Sequence, residues 1–126
     1  MEIKSRFDHF NINVTDLVRS IAFYQEALGL KESRRIESPD GSFTIVYLSD
    51  GVSGFMLELT WLREQEQPYE LGDNESHLCV RVAGDYDKVR QFHQEKGFVC
   101  YENEAMGLYF IHDPDDYWIE ILPQQR

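Results

Sequence analysis

The chain carries one pattern twice, and that repeat limits its possible folds more than any other feature. The segment from His9 reads HFNINVTDLVRSIAFYQEALGL, and the segment from His77 reads HLCVRVAGDYDKVRQFHQEKGF. At an offset of 68 residues His9 meets His77, Val14 meets Val82, Tyr24 meets Phe92 and Gly29 meets Gly97. Further on, at an offset near 62, YLSD (47–50) resembles FIHD (110–113) and FMLEL (55–59) resembles YWIEI (117–121). That second match sets Glu58 on Glu120. The repeat defines two modules, about 6–62 and 75–122, within one domain over 1–126. The stretch between them, 63–74, holds Pro68, Gly72 and several charges, as a linker should.

Each module has the same order of elements. Phe7 to Val14 alternates apolar and polar side chains, which predicts a half-buried strand. Asp16 offers a helix N-cap, Leu17, Ile21, Tyr24 and Leu28 recur at helical spacing, and Gly29 is a natural stop. Three strand-like runs follow, at about 30–37, 43–49 and 54–61. The second module repeats this with a strand at 76–82, a helix at about 85–96 ended by Gly97, and strands near 98–102, 107–112 and 117–122. The fold class is therefore α+β: two tandem βαβββ modules forming a curved, mixed-sheet cup, with helices on the outer faces. A ferredoxin-like arrangement competes, but it leaves one strand per module unexplained.

Composition narrows the function. Twelve basic against 23 acidic residues give a net charge of −11. That argues against nucleic acid and anionic membranes as partners, since both need a basic surface. No apolar run approaches the ~20 residues that span a bilayer. The opening Met1-Glu2-Ile3-Lys4 has no signal-peptide core, so a cytoplasmic protein is expected. Cys79 and Cys100 lack metal-site spacing and are expected as reduced thiols rather than a disulfide.

Four residues carry the chemistry. Glu58 and Glu120 each sit in the middle of a strongly apolar strand, where a carboxylate is costly unless it is paired or binds metal. A carboxylate facing solvent or an arginine is the plain alternative for either one alone. Each module, however, carries its histidine on the first strand and its glutamate on the last. Pseudo-twofold symmetry then turns both pairs to one inner surface. That surface would hold His9, Asn11, Asn13, Met56, Glu58, Thr60, His77, Cys79, Arg81, Trp118, Glu120 and Leu122. The opposite face, with Phe10, Ile12, Val14, Leu57, Leu59, Leu78, Val80, Val82, Ile119 and Ile121, would pack on helices. Two imidazole nitrogens and two carboxylate oxygens suit a divalent first-row metal, and four protein ligands leave an octahedral ion two open positions. Trp61 is expected in the core, His93 in solvent on the second helix, and His112 in a structural role beside the turn at 113–116.

These residues give the chain its resemblance to a known family. DLVRSIAFYQEALGL (16–30), LELT (57–60), YELGDNESHL (69–78) and GLYFIHDPDDYWIEIL (107–122) resemble glyoxalase I (lactoylglutathione lyase) of the vicinal oxygen chelate superfamily. The resemblance runs over nearly the whole length. It implies a metal held by His9, Glu58, His77 and Glu120, with nickel or cobalt favoured by the histidine at position 9 and zinc as the alternative. It implies a homodimer in which each site takes one module from each chain; a single chain folding its two modules around one site is the alternative. It also implies that the hemithioacetal of methylglyoxal and a thiol becomes a lactoyl thioester, with Glu120 moving the proton from C1 to C2 and Glu58 serving the other stereoisomer. Asn13, Arg81 and Trp118 are the expected substrate contacts. Asn13, Leu62 and Asp73 depart from glutathione-binding positions of the family, so the thiol is glutathione or another small thiol. Another metalloenzyme of the superfamily, a dioxygenase or thiol transferase, and a non-catalytic small-molecule-binding protein are the alternatives.

Overall fold

The computed structural model describes residues 1–125 and divides into two compact units, with the boundary after Tyr69. The first unit contains β1 (His9–Val14), α1 (Leu17–Leu28), β2 (Lys31–Glu37), β3 (Phe43–Ser49) and β4 (Met56–Leu62). Its sheet has the order β1-β4-β3-β2, with β1 parallel to β4 and the other pairs antiparallel. A parallel pair needs a long crossover, and the chain between β1 and β4 supplies one that includes α1.

Local chemistry fixes α1. The Asp16 side chain accepts the Arg19 N–H at 3.1 Å, and Gly29 closes the helix with φ 69°. Ser20, Phe23, Tyr24 and Ala27 recur at helical spacing and are the residues of α1 that are buried. The sheet buries Ile12, Val14, Val46, Leu48, Leu57 and Leu59. Each such aliphatic side chain stabilises the fold by about 1.5–3 kcal/mol of transfer free energy. Two expected core residues differ. Phe10, near the start of β1, is 47% exposed, whereas Ile12 and Val14 further along the same face are buried. Trp61 is only half-buried, since it sits near the end of β4.

The edge strand β2, KESRRIE, is exposed throughout. Its register with β3 shifts between Glu32 and Arg34, and Arg35 bridges Glu32 at 2.8 Å. Such a charged, irregular edge discourages pairing with another chain.

The second unit contains β5 (Leu78–Val82), α2 (Tyr86–Glu95), β6 (Val99–Asn103), β7 (Leu108–His112) and β8 (Trp118–Pro123). Its sheet order, β5-β8-β7-β6 with β5 parallel to β8, repeats that of the first. Tyr109, Ile111, Ile119 and Ile121 are buried beneath it. His93, expected in solvent, is instead 1% exposed and joins this core with Nδ1 2.8 Å from the Tyr109 hydroxyl. Among the described residues, no helix is long and apolar enough to cross a membrane.

Candidate functional site

The parallel register of β1 on β4 sets Asn11 beside Glu58 and Asn13 beside Thr60. On the other flank of β4, Tyr47 opposes Glu58, and Arg34 opposes Tyr47. Arg34, Tyr47, Glu58 and Asn11 therefore form a row across the sheet. Alternation along the strands puts that row on the face opposite Ile12 and Leu59. His9 stands at the head of β1, with Nε2 3.5 Å from the Glu58 carboxylate and Nδ1 2.7 Å from that of Asp8.

Several neighbours brace this pair. The Tyr47 ring meets His9 edge-on at 5.5 Å, and the Arg34 guanidinium lies 4.3 Å above its face. A hydrogen bond to Glu58 holds the Tyr47 phenol above its ordinary pKa, with burial adding to the effect. The hydrogen bond from His9 lowers the Asp8 carboxyl below its usual range. Thr60 Oγ1 donates to Asn11 Oδ1, and the Asn11 amide donates to Asn13 Oδ1 at 2.8 Å. Asn13 is thus half-buried within a side-chain amide network.

The second unit holds the matching pair. Parallel register sets Cys79 beside Glu120 and Arg81 beside Leu122. His77 lies one residue before β5, with Nε2 3.4 Å from the Glu120 carboxylate and Nδ1 3.0 Å from the Glu75 carbonyl oxygen. Here the residue opposite the glutamate is Phe110, not a tyrosine. Phe110 meets the His77 ring edge-on at 4.9 Å and lies 5.6 Å from Trp118, which stacks on Tyr101 at 6.3 Å. The Glu120 carboxylate therefore stands beside an aromatic wall. Arg81 is exposed and donates to the Pro123 carbonyl at 2.9 Å.

The structure thus brings together His9 with Glu58, and His77 with Glu120. Among the described residues, no group of three or more histidines, cysteines and carboxylates is placed to hold a metal. His112 bonds Asp116 at 3.1 Å across the following turn and takes no part in either pair. A cavity of about 400 Å³ in the second unit is lined by Tyr86, Arg90, Glu102 and Tyr109. Tyr109 points away from Phe110 and Glu120, so this cavity lies on the other side of the sheet.

Sequence reasoning passed over Asp8, Arg34, Tyr47 and Tyr101. Two of them carried a signal. Asp8 adjoins a candidate ligand, and Tyr47 heads the YLSD segment that aligns with FIHD, so it occupies the position of Phe110. Arg34 lies in a strand with no apolar pattern, and only the bulge and the cross-strand register reveal what it faces.

The chain is similar to known proteins in sequence and in fold. Lactoylglutathione lyase of Neisseria meningitidis is 32% identical over 127 residues, which cover 95% of this chain and 91% of that protein. The structure of the trypanothione-dependent glyoxalase I of Leishmania major superposes with a TM-score of 0.84 at 32% identity, covering 97% of this chain and 88% of that one. Glyoxalase I of Zea mays gives 0.80 at 27% identity, with 96% of this chain matching 45% of the maize protein. The family model of the Glyoxalase/Bleomycin resistance protein/Dioxygenase superfamily matches residues 6–121, and the chain belongs to that superfamily.

Proposed function

We propose that the protein is a glyoxalase I-like, metal-dependent lyase that converts the hemithioacetal of methylglyoxal and a small thiol into a lactoyl thioester. The observation that carries this reading is the matched pair of histidine–glutamate contacts, at 3.5 and 3.4 Å. In each, Nδ1 faces an oxygen that can only accept, a carboxylate for His9 and a backbone carbonyl for His77. A neutral ring then keeps its proton on Nδ1 and turns the Nε2 lone pair toward the glutamate. Two acceptors facing each other at this distance suit a cation between them. Metal–nitrogen and metal–oxygen bonds of about 2.0–2.2 Å at tetrahedral or octahedral angles separate the donors by roughly 2.9–3.5 Å.

His9, Glu58, His77 and Glu120 would hold the ion, nickel or cobalt in preference to zinc. When bound, it supplies a Lewis acid for the two substrate oxygens. The proton moves through the protein's own carboxylate: Glu120 takes it from C1 and returns it to C2. What favours Glu120 over Glu58 is its neighbour. Glu58 stands opposite the polar phenol of Tyr47, whereas Glu120 stands opposite the apolar ring of Phe110. Glu58 serves the opposite stereoisomer. Trp118, Phe110 and Tyr101 shield the reacting carbons from water. Asn13 and Arg81 are polar contacts for the thiol, which is glutathione or another small thiol. The working form is a cytoplasmic homodimer, with each site built from the first pair of one protomer and the second pair of its partner.

The test is thioester formation from methylglyoxal and glutathione by apo protein reloaded with nickel, cobalt or zinc. Metal-dependent turnover is expected, and Glu120→Gln should lower it by about 10²–10⁴-fold, the usual worth of a general base. Full turnover in that variant would remove Glu120 from the role. Metal binding at one ion per site without turnover would redirect the reading to another thiol or another reaction of the superfamily.

A further inference from the structure

We propose that Asp8 is a positioning residue for the ligand His9: its carboxylate holds the imidazole as the Nδ1–H tautomer with Nε2 aimed at Glu58. The inference rests on the metal-dependent reading above and adds a residue to it. Three observations carry it. The Asp8 carboxylate lies 2.7 Å from Nδ1, within the range of a charge-assisted hydrogen bond. Asp8 is itself held, because its carbonyl accepts the Met56 N–H at 3.0 Å and so anchors it to the start of β4. The opposite ring nitrogen, Nε2, is the one that faces Glu58.

The other pair sharpens the point. His77 obtains the same tautomer from a backbone carbonyl, that of Glu75, which no side-chain substitution removes. The first pair depends instead on a side chain that is 64% exposed and outside the core. The two halves of the repeat therefore orient their histidines by different means, and only the first is open to replacement. Carboxylate partners of ligand histidines typically contribute 10–100-fold in metal affinity, because they fix the ring and raise its basicity.

The experiment compares the wild type with Asp8→Ala and Asp8→Asn. Cobalt(II) affinity is measured by competition with a chromophoric chelator, apo-protein melting by calorimetry, and the His9 tautomer from the ring ¹⁵N spectrum of the apo protein. Asp8→Ala should bind cobalt about 10–100-fold more weakly, with unchanged apo melting and a mixed His9 tautomer. Asp8→Asn should recover much of the loss, since the amide oxygen still accepts from Nδ1. Wild-type affinity in Asp8→Ala overturns the proposal, as does Asp8→Asn being as weak as Asp8→Ala. So does a loss of affinity that accompanies a fall in apo melting. If the wild type binds no cobalt, the metal-dependent reading fails, and the ¹⁵N spectrum alone decides whether Asp8 sets the tautomer.

Discussion

His93 and Tyr109 form a polar pair beneath the second sheet, both about 1% exposed and 2.8 Å apart. Removing one member of a buried hydrogen bond costs about 1–3 kcal/mol, because the remaining group has lost water without recompense. Tyr109→Phe should therefore destabilise the protein by that amount in urea unfolding and leave turnover unchanged, since Tyr109 points away from Glu120. Tyr86, Val89 and His93 recur at helical spacing along α2, yet the sequence placed His93 in solvent. A lone imidazole on a polar helix reads as solvated, since its partner is 16 residues away.

The two thiols differ in the same way. Cys79 is exposed, whereas Cys100 is half-buried with its sulfur against the Phe110 carbonyl. Burial, aided by the negative charge of Asp116, pushes the Cys100 thiol from 9.0 up to about 11. Its thiolate fraction near neutral pH falls roughly a hundredfold, and iodoacetamide at pH 8 should label Cys79 well before Cys100. The same shift has a stability sign. The folded state holds the proton more tightly, so the Cys100 contribution is full below pH 9 and is lost as pH rises toward 11. Tyr109, raised further by burial, extends that alkaline decline.

At the scale of elements, Gly29 offers the cleanest prediction. Its φ of 69° lies in the left-handed region, and a Cβ placed there meets nothing within 4 Å. Gly29→Ala therefore incurs only the backbone cost, about 1–2 kcal/mol, with no clash to relieve. Thermal unfolding measures it, and a larger loss would mean that the backbone had moved. That stop, the Asp16 cap and the elements other than β2 were legible, because caps and period-two or period-3.6 patterns are local signals. The repeat supplied what local patterns could not. KESRRIE has no apolar alternation, and only its place between α1 and β3 marks it as a strand. Strand ends slipped by a residue or two, which is why His77 stands just outside β5. The partners of the glutamates were less legible. Tyr47 and Phe110 align in the repeat, but whether they oppose Glu58 and Glu120 depends on antiparallel register, which no single strand encodes.

At the scale of the whole molecule, the duplicated pairs make a quantitative prediction about where a complete site resides. If a site joins His9 and Glu58 of one protomer to His77 and Glu120 of its partner, defects in different modules complement each other. A homodimer of His9→Ala chains has no intact site, and neither has one of His77→Ala chains. A mixed dimer has two kinds of site. One combines both lesions, and the other combines the intact first module of the His77→Ala chain with the intact second module of the His9→Ala chain. Random reassociation of equal amounts gives half mixed dimers, each with one working site of two, so metal-dependent turnover should recover to about a quarter of wild type. A site assembled within one chain predicts no recovery at any mixing ratio, since every chain carries a lesion. Denaturing and refolding the two inactive variants together, against each refolded alone, separates these outcomes. The same mixture made with His9→Ala and Glu58→Gln is the control. Both lesions then fall in the first module, no arrangement of chains restores a site, and turnover should stay at the background of the single variants.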